Sequence, residues 1–339
     1  MRSALVLVGL GVLVASALAL RSESHEGQWR DPSPHQVRWI TVDSSVRLEV
    51  LDWGGSCRPI VLLGCYLTAH LYDDFAPKLT DRFHVYGITR RGIGASDKPA
   101  SGYSVQRSAD DVLEVLDRLT IDKPILAGYS CAGQVLSMLG SRHSDRLGGL
   151  VYFDAADDPT LTPADYEVRF PHPAKLPSST KPAPVPDYRS FEAYRLAQRR
   201  DHGVAFPEAE WRQQFVADAD GSVGASRLDL GIRRAITESR VKPDYARIRV
   251  PVLAIYRRDP PFERWAADFA PRNEEERAAL RQQYQATRAM VTRWQRDLLA
   301  GVPTARIVEL PGANLYMFLS HQADVLREIR AFAATLTDR

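Results

Sequence analysis

Three cysteines are too few for a disulfide framework in a chain of 339 residues, which excludes the small scaffolds held together by several bridges. Cys57 and Cys65 flank what reads as one extended strand. Their eight-residue separation corresponds to more than about 20 Å, far beyond the ~7 Å limit for bridged Cα atoms, so they cannot pair with each other. Cys131 reads as a small buried residue rather than a reactive thiol. An excess of one charge is also lacking: 44 basic and 42 acidic residues leave a net charge of +2. The basic residues form no long run, so nothing points to nucleic acid as a partner. No spacing of His, Cys, Asp and Glu marks a metal site. Gly92-Ile93-Gly94 lacks the third glycine and the helix-opening context of a dinucleotide fingerprint, and no cofactor is implied.

What remains is a globular composition, 45% hydrophobic and 25% charged, long enough for one large α/β domain with an insertion or for two ordinary domains. The N-terminus stands apart. A short basic head precedes an unbroken apolar stretch, Ala4 to Leu20, whose end fits an A-x-A cleavage site at Ala15-Ser16-Ala17 or Ala17-Leu18-Ala19. Residues 1–24 read as a signal peptide of an exported (periplasmic or secreted) protein. The alternative is an uncleaved anchor over residues 4–20, the one case in which a membrane is a partner.

Beyond the leader, Gln36–Val42 and Val46–Trp53 alternate in period two and predict an antiparallel pair. Continuous apolar runs at Pro59–Leu63, His84–Ile88, Ile125–Tyr129, Leu150–Phe153, Val250–Tyr256 and Arg306–Leu310 read as strands, several of them covered on both faces. Between them lie helical patterns: about Ala69–Leu79, Val105–Leu119, Cys131 to about Leu139, a long helix carrying Leu280 to Leu298, and a final helix carrying Val325 to Leu336. Strand and helix alternation implies a parallel sheet with helices on both faces. From about Asp157 the pattern breaks into a proline-punctuated stretch with helical fragments near Phe191–Arg199, Pro207–Ala217 and Arg227–Ser239. Residues 158–246 read as an inserted helical cap, and 35–157 with 247–339 as the core.

The stretch Gly128-Tyr129-Ser130-Cys131-Ala132-Gly133 closes an apolar strand with a serine between small residues. This is the pattern of a sharp strand-to-helix turn that lifts a hydroxyl clear of the sheet. Together with the turn Arg91-Gly92-Ile93-Gly94-Ala95-Ser96 and the strand order around an insertion, it resembles the α/β-hydrolase family from Gln36 to Arg339. The resemblance implies a mostly parallel, eight-stranded sheet flanked by helices. It also implies a serine hydrolase acting on a small ester- or amide-type organic substrate. In that family serine, acid and histidine follow in that chain order. Carried onto this chain, Ser130 is the nucleophile, and the N–H groups of Cys131 and of Tyr66 or Cys65 form the oxyanion hole. Asp259, after the penultimate strand, is the acid; Asp154, after the Leu150–Phe153 strand, is the rival position.

The histidine is missing from its place. In Pro311-Gly312-Ala313-Asn314-Leu315-Tyr316, leucine occupies the expected position and has no lone pair with which to accept a proton. Losing a triad member costs on the order of 10⁴ to 10⁶ in turnover. His321, six residues on after Ser320 as an expected N-cap, is displaced by about 9 Å in helical geometry and is the substitute candidate. His70 and His172 lack a positional argument for the base. The alternative reading is a catalytically impaired or ligand-binding member of the fold.

Overall fold

The computed structural model describes residues 29–181 and 183–336. The leader, with its expected cleavage, lies outside the described residues. Of the two compact units, Met1–Pro32 and Ser33–Arg339, only the second carries regular secondary structure among the described residues.

The expected antiparallel pair forms as β1 (Gln36–Val42) and β2 (Val46–Gly54), with Val42 opposite Val46. The chain continues through β3 (Pro59–Leu63), β4 (His84–Ile88), α1 (Val105–Arg118), β5 (Ile125–Tyr129), α2 (Ala132–Arg142) and β6 (Gly149–Phe153). An insertion follows, holding α3 (Phe191–His202), α4 (Glu208–Gln214), the two-stranded ribbon β7 (Phe215–Ala217) and β8 (Val223–Ser226), and α5 (Leu230–Glu238). β9 (Val252–Arg258), α6 (Phe262–Ala266), α7 (Glu274–Gly301), β10 (Arg306–Pro311), α8 (Met317–Ser320) and α9 (Gln322–Ala333) complete it. The main sheet has eight strands in the order β1-β2-β4-β3-β5-β6-β9-β10, parallel from β4 onward.

Two expectations fail locally. The helix predicted over Ala69–Leu79 is two 3₁₀ turns, Ala69–Tyr72 and Ala76–Leu79. Pro77 has no N–H to give a continuous α-helix, and its ring opposes the preceding turn. The fragment predicted over Pro207–Ala217 stops at Gln214, where the chain becomes extended and pairs with β8. The ribbon turns through Asp218–Gly221, with Gly221 at φ +84°.

Side chains alternate between the two faces of the central strands. Ile125, Ala127 and Tyr129 of β5 join one cluster with Val151 and Phe153 of β6, Leu253 and Ile255 of β9, and the apolar side of α9. Leu126, Leu150, Tyr152, Val252 and Ala254 join another with α1 and α2. Burying each such side chain stabilises by about 1.5–3 kcal/mol, which is why these short strands need no propensity beyond their apolar runs. Phe191, Tyr194, Phe206 and Trp211 of the insertion belong to the first cluster, so the insertion is packed into the core rather than strung beside it. The turn after β4 is pinned by Arg91, 1% exposed, whose guanidinium meets the Asp111 carboxylate of α1 at 2.6 Å through two N–H groups.

The tightest junction is between β5, α2 and the loop after β6. A Cβ built on Gly133 would overlap the Ala155 carbonyl oxygen, which is backbone and has nowhere to move. Gly133→Ala is therefore expected to destabilise by about 1–3 kcal/mol or more, read as a lower midpoint in chemical denaturation.

Candidate active site

At the end of β5 the chain reverses through Ser130, which adopts φ +52°. A non-glycine residue pays about 1–3 kcal/mol for a sparsely populated backbone conformation and keeps it only where its surroundings impose it. They do so here. A Cβ on Gly128 would lie 2.9 Å from the Ala132 Cβ and 3.2 Å from the Leu63 carbonyl oxygen, so both neighbours of the turn must be small. Gly133 N–H returns to the Ser130 carbonyl at 2.9 Å, and α2 starts at once. The Cys131 N–H opens that helix, among the donors a first turn leaves without an intrahelical acceptor.

Cys131 is not the unbonded residue expected from the sequence. It forms a disulfide with Cys65, with 5.2 Å between the Cα atoms and a sequence separation of 66. Distance along one strand rules out Cys57 with Cys65 but says nothing of strands side by side. β3 pairs with β5, Leu63 opposite Gly128, so the segments leaving their carboxyl ends meet. The bridge thereby fastens the turn carrying Cys65 and Tyr66 to the turn carrying Ser130 and Cys131.

That β3 turn is held from the other side by the insertion. Thr68 N–H donates to both carboxylate oxygens of Glu210 on α4, at 3.2 and 3.1 Å, and the Thr68 hydroxyl donates to the same group. Glu210 is fully buried, and burial pushes its carboxyl up to about 7 against the bonds from Thr68 and Gln214. Sequence reasoning missed this residue: a glutamate in an amphipathic fragment carries no mark of where its side chain goes.

Ser130 and Cys131 line a cavity of about 550 Å³ at the carboxyl ends of the strands, where open α/β sheets place ligands. A hollow of similar size, about 580 Å³, lies among Pro59, Lys123, Gly148 and Pro251 at the other ends. The Ser130 cavity has an apolar wall that includes Tyr166, Phe170, Trp294 and Leu315, and a polar wall of Asp154, Asp157, Asp158, Arg240 and Arg257. Asp154 sits at φ +50° after β6, and Arg257 Nε of β9 meets its carboxylate at 2.9 Å. Burial raises the Asp154 carboxyl, the Arg257 charge lowers it, and the net direction is upward. Half-buried Asp157 is pushed up to about 7 by burial, with the charges of Asp154 and Asp158 adding to it, against the hydrogen bond from its own N–H and the charge of Arg240.

Of the expected site residues, the fold brings Ser130, Cys131, Asp154 and Leu315 to one cavity. Asp259, half-buried beyond β9, lies near enough to Asp154 to raise its carboxyl but does not line the cavity. Tyr66 points its hydroxyl to Thr237 Oγ1 at 2.6 Å. His321 joins α8 to α9, and its Nδ1 lies 3.1 Å from the Ser320 hydroxyl, which also accepts from Asn314 N–H. Ser320 thus ends α8 instead of capping the final helix. His70 is buried with its Nδ1 2.9 Å from Asp73, and exposed His172 accepts from Ala174 N–H. Among the described residues no histidine lines the cavity. His35, His70 and Asp73 do bring ligand-type atoms within 4.8 Å of one another. Both Nδ1 atoms lie 2.9 Å from Asp73 oxygens, and Trp53 Nε1–H donates to the same carboxylate, so the cluster reads as a hydrogen-bonded brace.

A family model described as the Alpha/beta hydrolase family matches residues 60–328. The chain belongs to the alpha/beta hydrolase family. This alpha/beta hydrolase is 29% identical over 228 residues to the AB hydrolase superfamily protein YisY of Bacillus subtilis, covering 65% of this chain and 80% of that one. It is 26% identical over 109 residues to 2-(acetamidomethylene)succinate hydrolase of Mesorhizobium japonicum, a match spanning 32% of this chain and 39% of that protein. Among solved structures, an E-2-(acetamidomethylene)succinate hydrolase superposes with a TM-score of 0.61 at 17% identity, covering 89% of this chain and 100% of the other. A serine hydrolase involved in carbazole degradation superposes at 0.57 and 14%, covering 88% and 99%. These structures share its fold, and its relatives include hydrolases.

Two measurements probe the clamps on the β3 turn. The Glu210 carboxyl keeps its proton in the folded chain from its ordinary 4.5 up to about 7. The folded state therefore binds more protons than the unfolded one in that window, and stability falls as pH rises through it, by about 3 kcal/mol. Glu210→Gln is expected to make that fall shallower by about this amount in denaturation curves taken from pH 4 to 8, leaving the share that Asp157 contributes over the same range. Replacing Cys65 and Cys131 together by alanine is expected to lower stability by about 4 kcal/mol, the loop-closure value for a separation of 66.

Proposed function

We propose that Ser130 is the nucleophile of a hydrolase acting on small organic esters or amides, in an exported protein. The observation that carries the reading is the imposed backbone of Ser130, held left-handed at a cavity about 550 Å³ in volume. A strained nucleophile position is kept only where the packing around it is built for it. The flanking N–H of Cys131 and the bridged turn of Cys65 and Tyr66 supply donors for the oxyanion that forms when the hydroxyl attacks an acyl carbon. The aromatic wall suits an organic acyl or alkyl group, and the cavity volume limits it to a small one. Export is supported by the apolar leader together with a disulfide, which persists in oxidising compartments.

A second reading, a ligand-binding member of the fold, is favoured by one observation: Leu315, the residue the family resemblance sets at the position of the base, lines the cavity without a proton-accepting group. The two separate on short p-nitrophenyl esters. Under the hydrolase reading the mature protein turns them over at least tenfold faster than Ser130→Ala. Equal rates would overturn it for such substrates. Under the binding reading the two rates coincide and Leu315→His creates turnover that the parent lacks.

A further inference from the structure

We propose that Asp157 is the proton acceptor for Ser130, a carboxylate doing the work of the absent imidazole. This rests on the hydrolase reading above and goes beyond it by assigning the base. The placement comes first. Asp157 lines the same cavity as Ser130, on the loop leaving β6, and that loop is seated on the first turn of α2: the Ala155 carbonyl fills the space a Cβ of Gly133 would need. The loop is tied further by the Tyr245 hydroxyl donating to the Asp157 carbonyl at 3.2 Å and by the Tyr256 hydroxyl donating to the Ala156 carbonyl at 2.8 Å. The wall carrying Asp157 therefore cannot drift from the serine turn.

The other carboxyls of that wall are engaged. Asp154 is paired with Arg257 at 2.9 Å, and Asp158 accepts from the N–H and hydroxyl of Thr160 at 3.0 and 2.6 Å. Among the described residues, Asp157 has no cation within ion-pair distance: its carboxyl accepts from its own backbone N–H, Arg240 acts on it only from farther off, and it lies close enough to Asp154, Asp158, Tyr166, Tyr245 and Tyr256 to interact with their charges. Its basicity also suits the task. An ordinary aspartate near 4 is too weak a base to take a hydroxyl proton, whereas a carboxyl lifted to about 7 has the proton affinity of an imidazole.

In the step assigned, the Asp157 carboxylate takes the Ser130 Oγ proton, directly or through one water, as Oγ bonds to the acyl carbon. The carbonyl π electrons move to its oxygen, beside the Cys131 N–H. The tetrahedral centre then collapses, the leaving alkoxide or amide nitrogen receives the proton from Asp157, and an acyl-Ser130 remains. Water attacks in the second half, its proton passing to Asp157 and then to Ser130 as the carboxylic acid departs.

The test uses a fluorophosphonate reagent, which labels the serine by the same proton removal with fluoride as the leaving group, so that turnover is not needed. Labelling of Ser130, followed by intact mass from pH 5 to 9 with Ser130→Ala as blank, is expected to rise with pH through a midpoint near 7 and level off. Asp157→Asn is expected to slow it about 100-fold and remove the midpoint, and Asp157→Glu to keep a rising limb. Thermal unfolding should show Asp157→Asn folded, and no less stable than the parent at pH 8, where it removes a partly buried charge. Labelling that is independent of pH, or that survives Asp157→Asn, overturns the assignment and leaves the hydrolase reading standing. Loss in both variants despite intact folding also overturns it. No labelling of the parent at any pH overturns the hydrolase reading itself and the assignment with it.

Discussion

Backbone crowding around Ser130 is the constraint from which the rest of the site follows. Three chain segments meet there without a side chain between them: the end of β3 at Leu63, the first turn of α2 at Gly133, and the loop after β6 at Ala155. Interiors packed to crystal-like density transmit position as well as stability. Because each contact is between backbones, or backbone and a single methyl, the serine inherits its place from both neighbouring strands. The left-handed turn is stable because no wider arrangement would leave those segments in contact.

Around that point the carboxyls are driven toward their protonated forms. The carboxyls of Asp154, Asp157 and Glu210 all have raised proton affinity, each with burial as the largest cause. Two of them leave the end of β6 and the third sits on α4, and only Asp154 is matched by a close cation. Glu210 acts on the β3 turn rather than on the cavity, where it complements the disulfide: one clamp is covalent and insensitive to pH, the other electrostatic and sensitive to it. The β3 turn is thus located twice, from α2 below and from the insertion above, which is how a backbone donor can be aimed without a strand or helix of its own.

The sheet was legible because strands buried on both faces announce themselves as apolar runs. The serine turn was legible because small residues at Gly128, Ala132 and Gly133 have few other reasons to coincide. Boundaries failed where a local rule outweighed periodicity, as at Pro77 and at the glycine-closed ribbon after Gln214. The Cys65–Cys131 bridge was missed because it depends on which strands are neighbours, not on spacing along the chain. Glu210 and Asp157 were missed for a related reason: a carboxylate's role is decided by what desolvates it, and no composition of nearby residues records that. Leu315 was picked out from the sequence alone, and the fold places it on the cavity that Ser130 lines.

The disulfide has a mechanical consequence. It closes a covalent ring from Cys65 to Cys131 that contains β4, α1 and β5. A peptide bond cut inside the ring leaves one molecule, not two fragments. A chain pulled from its two ends cannot pay out the ring, so its full extension falls short by about 230 Å, at roughly 3.5 Å for each enclosed residue. The two strands inside the ring, one of them ending next to Ser130, are therefore the part of the sheet that neither a single nick nor a steady pull can open completely.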